Sequence, residues 1–185
     1  GGALAEESDG ASSVNTPDVY SMNSMTEILQ WCERTGKSYW EYVKECEDSD
    51  IWDYLQEVWK TMQNAVKRGL EQEGVLPGPL NLRRKASTYY IRASGYKQSL
   101  QSRGLVFAYA LAVSEENASG GVIVTAPTCG SCGVMPAVLY HLAKSREFSD
   151  TRILRALATA GLVGNIVKTN ASISGAEVGC QGEVG

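Results

Sequence analysis

Apolar residues recur at three- and four-residue steps through the first half of the chain and lose that rhythm in the last third. Met25, Ile28, Leu29 and Cys32 share one face of a helix that Gly36 ends, because glycine takes the left-handed conformation that closes a helix without a Cβ penalty. Ser38 and Glu41 fit a capping box, in which serine and the glutamate three residues on satisfy orphan amides of a first turn, so a short second helix begins there. The clearest pattern is Trp52, Leu55, Trp59, Met62, Val66 and Leu70, a third helix following Ser49-Asp50 with Gly74 in the place of a left-handed cap. Pro77-Gly78-Pro79 then breaks the path, and helices are expected over roughly 81–94 and 97–116.

From Asn117 to Ala143 there is no Asp, Glu, Lys or Arg, a length that would admit a membrane span. Pro127, Pro136 and Gly120, Gly121, Gly130 and Gly133 would break such a helix, and Thr125, Thr128, Ser131 and His141 would need partners in lipid, so the segment is expected inside protein. Val122 to Thr125 reads as extended and Thr128 to Gly133 as a turn. Pro136 falls inside the first turn of a helix running to about Arg146. Ser149 caps a further apolar helix, Ile153 to Thr169, and a polar, glycine-punctuated loop follows from Asn170 to Gly185. The fold expected is mainly α, a helical domain with buried central helices, those from 134 to 169 surrounded by the earlier ones, and short extended or loop segments. Residues 1–20, rich in Gly, Ala and Ser, cannot bury enough surface to order themselves and read as a flexible linker or cloning remnant.

Length and charge narrow the function. The 185 residues suffice for one domain with a core. With 17 Lys and Arg against 21 Asp and Glu, a nucleic-acid surface is not expected. Charge is uneven: residues 1–60 hold 13 acids and 4 bases, which reads as a solvated acidic helical face or, in a helical interaction domain, as the partner-binding surface. Five cysteines are too few for a disulfide scaffold, and residues 1–20 carry no Lys or Arg, unlike a secretory signal, so a reducing cytoplasm is the expected compartment.

Two uncharged loops carry the candidate chemistry, Thr125 to Gly133 and Asn170 to Glu183. Hydroxyls and amides among apolar neighbours either satisfy one another or hold a polar ligand, since burying one without a partner costs about 1–3 kcal/mol. Cys129 and Cys132 form a C-x-x-C pair at the start of a helix, where the dipole favours thiolate. That spacing suits a zinc knuckle, a redox pair or two ligands of an iron–sulfur cluster. Zinc would want a second pair or histidines at ligand spacing, and the chain offers only the distant Cys180 and His141. A thioredoxin-like site would want a βαβ context. Cys32 and Cys46, among apolar neighbours, read as core cysteines, and His141 as a satisfied or surface histidine. Gly175, Gly179 and Gly182 lack the Gly-Lys-Ser/Thr of a phosphate loop. Lys168 is the sole lysine near these loops, so pyridoxal phosphate is not expected.

The run from Glu116-Asn117-Ala118-Ser119-Gly120-Gly121 to Ala126-Pro127-Thr128, with Pro136-Ala137-Val138-Leu139, resembles the α-chain region of the iron–sulfur-dependent L-serine dehydratases. So does Asn170 to Gly185, and Trp40 to Val43, Ile51 to Asp53 and Gly69 to Gly78 are also similar, so the likeness covers residues 21–185, which would be the N-terminal part of the catalytic domain. The resemblance implies loss of water from L-serine and then of ammonia, giving pyruvate, with a 4Fe–4S cluster in place of pyridoxal phosphate. Three cysteines hold the family's cluster and one iron stays open to act as a Lewis acid on the serine hydroxyl. Cys180 matches the first ligand; the other two would lie beyond residue 185, in keeping with a chain that ends within a glycine-rich run, and the 185 residues alone would be inactive.

Many relatives carry Asn at the place of Cys129 and a small residue at that of Cys132, so this chain adds a thiol pair the family does not need. Two ligand sets follow, Cys180 with two later cysteines, or a local set of Cys129, Cys132 and Cys180; under the first, Cys129 and Cys132 line the substrate pocket. Asn117, Thr125, Thr128, Ser172 and Ser174 are the candidates for the substrate's ammonium and carboxylate, with Gly130, Ser131 and the backbone amides of their turn as donors at a helix N-terminus. Glu177 is a candidate base by its charge and place, or else caps amides of its loop. A regulatory or β domain upstream or on a second chain, and a homodimer, are the partners expected besides L-serine. The alternative is a non-catalytic metal- or thiol-binding module built on Cys129-x-x-Cys132.

Overall fold

The computed structural model describes residues 19–125 and 129–170. Seven helices account for most of them: α1 (Met25–Thr35), α2 (Tyr39–Cys46), α3 (Ile51–Glu71), α4 (Ala86–Ser94), α5 (Gln98–Ala118), α6 (Val134–Arg146) and α7 (Asp150–Asn170). Among the described residues the only β pairing is an isolated antiparallel bridge between Val75 and Arg83. The mainly α expectation holds.

Local chemistry explains both ends of α1 and the start of α2. Ser24 caps α1 by accepting from the Glu27 amide (3.3 Å), and Gly36, at φ 70°, closes it by donating to the Cys32 carbonyl (2.9 Å). The Glu41 carboxylate accepts both the amide (2.8 Å) and the hydroxyl (2.7 Å) of Ser38 at the start of α2. Two ends differ from the sequence pattern. α3 stops at Glu71 with an extended Gln72, and Gly74 (φ 95°) turns the chain after it instead of capping it. α4 begins at Ala86, five residues later than 81, because residues 81–84 fold back on 74–76. Leu76 donates to the Leu82 carbonyl (2.7 Å) and Arg84 to that of Gly74 (2.9 Å), with Asn81 at φ 49°.

The helix α3 takes the centre, packing against α4, α5, α6 and α7, and its stripe Leu55, Trp59, Met62 and Val66 is buried. Gly69 lets it approach α5 so closely that a Cβ there would fall onto the Ala112 carbonyl. α6 leans on α5, with the Tyr109 and Tyr140 rings edge to face at 4.9 Å, and α7 on α2 and α3, with the Arg155 guanidinium 4.1 Å from the Trp40 ring centre. These last two helices, expected at the centre, bury one face each and leave Val134, Met135, Val138 and Val163 exposed. Tyr20, at the end of the expected linker, is tied down, its hydroxyl donating to Glu47 (2.6 Å). No helix among the described residues is long and apolar enough to cross a membrane.

Candidate functional site

A cavity of about 460 Å³ opens between α3, α6 and α7. Leu55, Val58 and Met62 of α3 and Leu157, Ala160 and Gly161 of α7 form apolar walls, while Val124, Thr125, Ser131 and Cys132 bring the chain on either side of the first uncharged loop to its edge. Helix α6 starts at this edge because Gly133 nests against α5; a Cβ at that position would lie 2.5 Å from the Ala110 carbonyl oxygen and 2.9 Å from the Ser114 hydroxyl. Its size and its mostly apolar lining with a few polar groups are those of a small-molecule site.

Of the residues expected to bind substrate, Thr125, exposed, and Ser131, half-buried, border this cavity. Asn117 stands on the last turn of α5 and donates its amide to the Cys129 carbonyl (3.3 Å), which ties it to the C-x-x-C turn. Gly130 is exposed in that turn. The turn holds itself together: the Cys132 amide donates to the Cys129 carbonyl (3.3 Å) and the Val134 amide to that of Ser131 (3.0 Å). Pro136 has no amide to give, so the start of α6 offers a carboxylate fewer backbone donors than its place in the sequence suggests. Thr128, Ser172, Ser174, Glu177 and Cys180 lie outside the described residues.

The cysteines divide by environment. Cys129 is exposed and Cys132 is buried beside the cavity. Cys32 and Cys46 are half-buried against the core, and burial raises both their thiol pKa values, so they are poor thiolates. His141 shares a 2.7 Å hydrogen bond between Nε2 and the Ser102 hydroxyl, in keeping with a satisfied histidine. Lys168 lines a separate cavity of about 220 Å³ between residues 19–23 and the end of α7.

Sequence reasoning missed a charged cluster where the chain leaves α5. Glu115 and Glu116, both 5% exposed, end the buried stripe Ala108, Tyr109, Ala112 and Val113 of α5. One oxygen of Glu115 accepts from the amides of Lys85 (2.6 Å) and Ala86 (3.2 Å), capping α4 from thirty residues away. Glu116 accepts from Arg68 Nε (2.9 Å) and faces Arg84 Nη1 at 4.0 Å. The signal was present: two carboxylates continue an apolar helical stripe, a position charge occupies only when paired.

The described residues contain no group of three or more His, Cys, Asp and Glu able to hold a metal ion. Cys129 and Cys132 alone do not complete a three-thiolate set, so no chemical step is derived from a cluster held by them.

A family model described as "Serine dehydratase alpha chain" matches residues 8–185. L-serine dehydratase 1 of Escherichia coli (strain K12) is 43% identical over 199 residues, covering 100% of this chain and 43% of that protein. The L-serine dehydratases of Haemophilus influenzae (41% identical) and Streptomyces coelicolor (40%) align over 100% of this chain and 43% of their own length. The chain thus spans less than half the length of these curated relatives.

Proposed function

Because the chain belongs to the serine dehydratase alpha-chain family, we propose that it acts in a cytoplasmic L-serine dehydratase that yields pyruvate and ammonia. The observation that carries this reading is the convergence of Thr125, Ser131 and the Cys132 turn on one apolar-walled cavity. The net reaction removes the α-proton and the β-hydroxyl of L-serine as water, and the resulting enamine tautomerises to an imine that water hydrolyses to pyruvate and ammonia. A 4Fe–4S cluster, ligated by Cys180 and two cysteines past residue 185, would supply Lewis acidity for the departing hydroxyl, with no pyridoxal phosphate.

The roles of this chain's own residues follow from their placement. The hydroxyls of Thr125 and Ser131, at the cavity's edge, donate to the substrate carboxylate, while Asn117, away from the cavity lining, holds the C-x-x-C turn through the Cys129 carbonyl. On this reading a β or regulatory domain and a second copy complete the assembly, and the 185 residues alone turn over no serine. The test is anaerobic loading with iron and sulfide of a protein extended to its relatives' length, followed by a pyruvate assay. Brown colour and pyruvate from L-serine are expected, and their absence would reject the reading. Zinc held by Cys129 and Cys132 in the 185-residue form, found by metal analysis, would favour a metal-binding module instead.

A further inference from the structure

We propose that Glu116 is a positioning residue, orienting Arg68 and Arg84 so that they fix the chain at Ser119 and Val122, which leads to Thr125 at the cavity. The inference rests on the dehydratase reading for its kinetic consequence but on geometry for its structural one. Each arginine that Glu116 engages reaches past it to the chain leaving α5. Arg68 Nη2 donates to the Val122 carbonyl (2.7 Å), and Arg84 Nη2 donates to the Ser119 hydroxyl (2.5 Å). Between those two points the backbone lies directly on the carboxylate, since a Cβ at Gly121 would stand 2.6 Å from Glu116 Oε2, and the Gly121 amide donates to the Glu116 carbonyl (2.8 Å). The neighbouring Asn117 holds the far side of the loop through the Cys129 carbonyl. One turn of α5 therefore sets where the chain stands at Ser119, Val122 and Cys129, and so where Thr125 and Ser131 meet the cavity.

Stability alone is a weak reason for this arrangement, because a buried ion pair commonly does no better than well-packed apolar side chains of the same volume. Its particular product is direction. A guanidinium holds a planar fork of donors, so the carboxylate that fixes one edge aims the other at the loop. Glutamine at 116 keeps the shape and an acceptor for Arg68 but loses the charge that Arg84 Nη1 faces at 4.0 Å.

The full-length, cluster-loaded protein is compared with its Glu116→Gln and Arg68→Lys variants by two readouts. The first is the rate at which a thiol reagent modifies each cysteine, followed by mass spectrometry. Cys132 is buried beside the cavity, while Cys32 and Cys46, half-buried on α1 and α2, serve as internal references for changes elsewhere in the fold. Both variants are expected to label Cys132 about tenfold faster with Cys32 and Cys46 unchanged, the signature of local and not global opening. The second is steady-state turnover, where KM for L-serine is expected to rise about tenfold with kcat within about threefold, as when groups that orient a substrate are displaced. Unchanged relative labelling of Cys132, or equal acceleration of all three cysteines, would overturn the proposal; Arg68→Lys decides the matter if Glu116→Gln fails to fold. A wild-type protein without serine turnover would defeat the dehydratase reading, and the labelling comparison would still judge the positioning role.

Discussion

Gly69 of α3 lies against the carbonyl of Ala112 in α5, with no room between them for a methyl group. Alanine is the better helix former by about 1 kcal/mol, but overpacking a fixed backbone contact costs about 1–3 kcal/mol, so the clash outweighs the propensity. Gly69→Ala is expected to lower Tm in thermal unfolding. Gly161 of α7 is the control, since a Cβ there meets nothing within 4 Å, and Gly161→Ala should stabilise by about 0.5–1 kcal/mol. A gain from both substitutions would mean that α3 and α5 stand further apart.

His141 gives the chain a single histidine with a defined pH signature. Burial and then the nearby Arg146 hold its pKa below the ordinary histidine value. The unfolded chain therefore takes up a proton before the folded one. The stability linked to His141 is whole above the unfolded value and drains away as the pH falls through it toward the folded one. Urea unfolding at pH 7.5 and 5.5 should show lower stability at 5.5, and His141→Gln should narrow the difference. An equal difference in the variant would remove His141 from the account.

Thr125 and Ser131 face one cavity from opposite ends of the loop, so their loss should act on binding before chemistry. In the loaded full-length protein, Thr125→Val and Ser131→Ala are each expected to raise KM for L-serine by about ten- to a hundredfold or more, the range for removing a hydrogen bond to a charged group. A fall in kcat at constant KM would instead place the hydroxyl on the reacting atoms.

The sequence made the helices with their own punctuation legible. Gly36 and the Ser38–Glu41 pair mark the end of α1 and the start of α2 because their partners lie within four residues. Residue pattern did not reach contacts that close over long separations. The start of α4 is set by Glu115 and by a chain reversal at 74–84, and Arg68 meets Val122 across 54 positions. The site was half legible. Glycines and hydroxyls without charge marked the loop, and the helix signals placed Cys132 at the head of α6. The carboxylates at the end of α5 were not legible because charge ordinarily marks a surface position, whereas Glu115 and Glu116 lie on the buried stripe of α5.

Removing the Glu115 carboxylate should be felt in a helix that it does not belong to. Glu115→Ala is expected to cost about 0.5–2 kcal/mol, the range for a lost N-cap. Hydrogen exchange should speed up at the amides of Lys85 and Ala86 before it does in α3. Unchanged protection at those two amides would show that α4 starts without the cap.

The same cap sets an order of events during synthesis. A helix of nine residues is marginal by itself in water, and the group that closes the first turn of α4 lies thirty positions downstream. On the ribosome, residues 86–94 emerge well before Glu115 does. A stable first turn of α4 is therefore expected only once the far end of α5 has been made, so α4 is expected to settle together with α5.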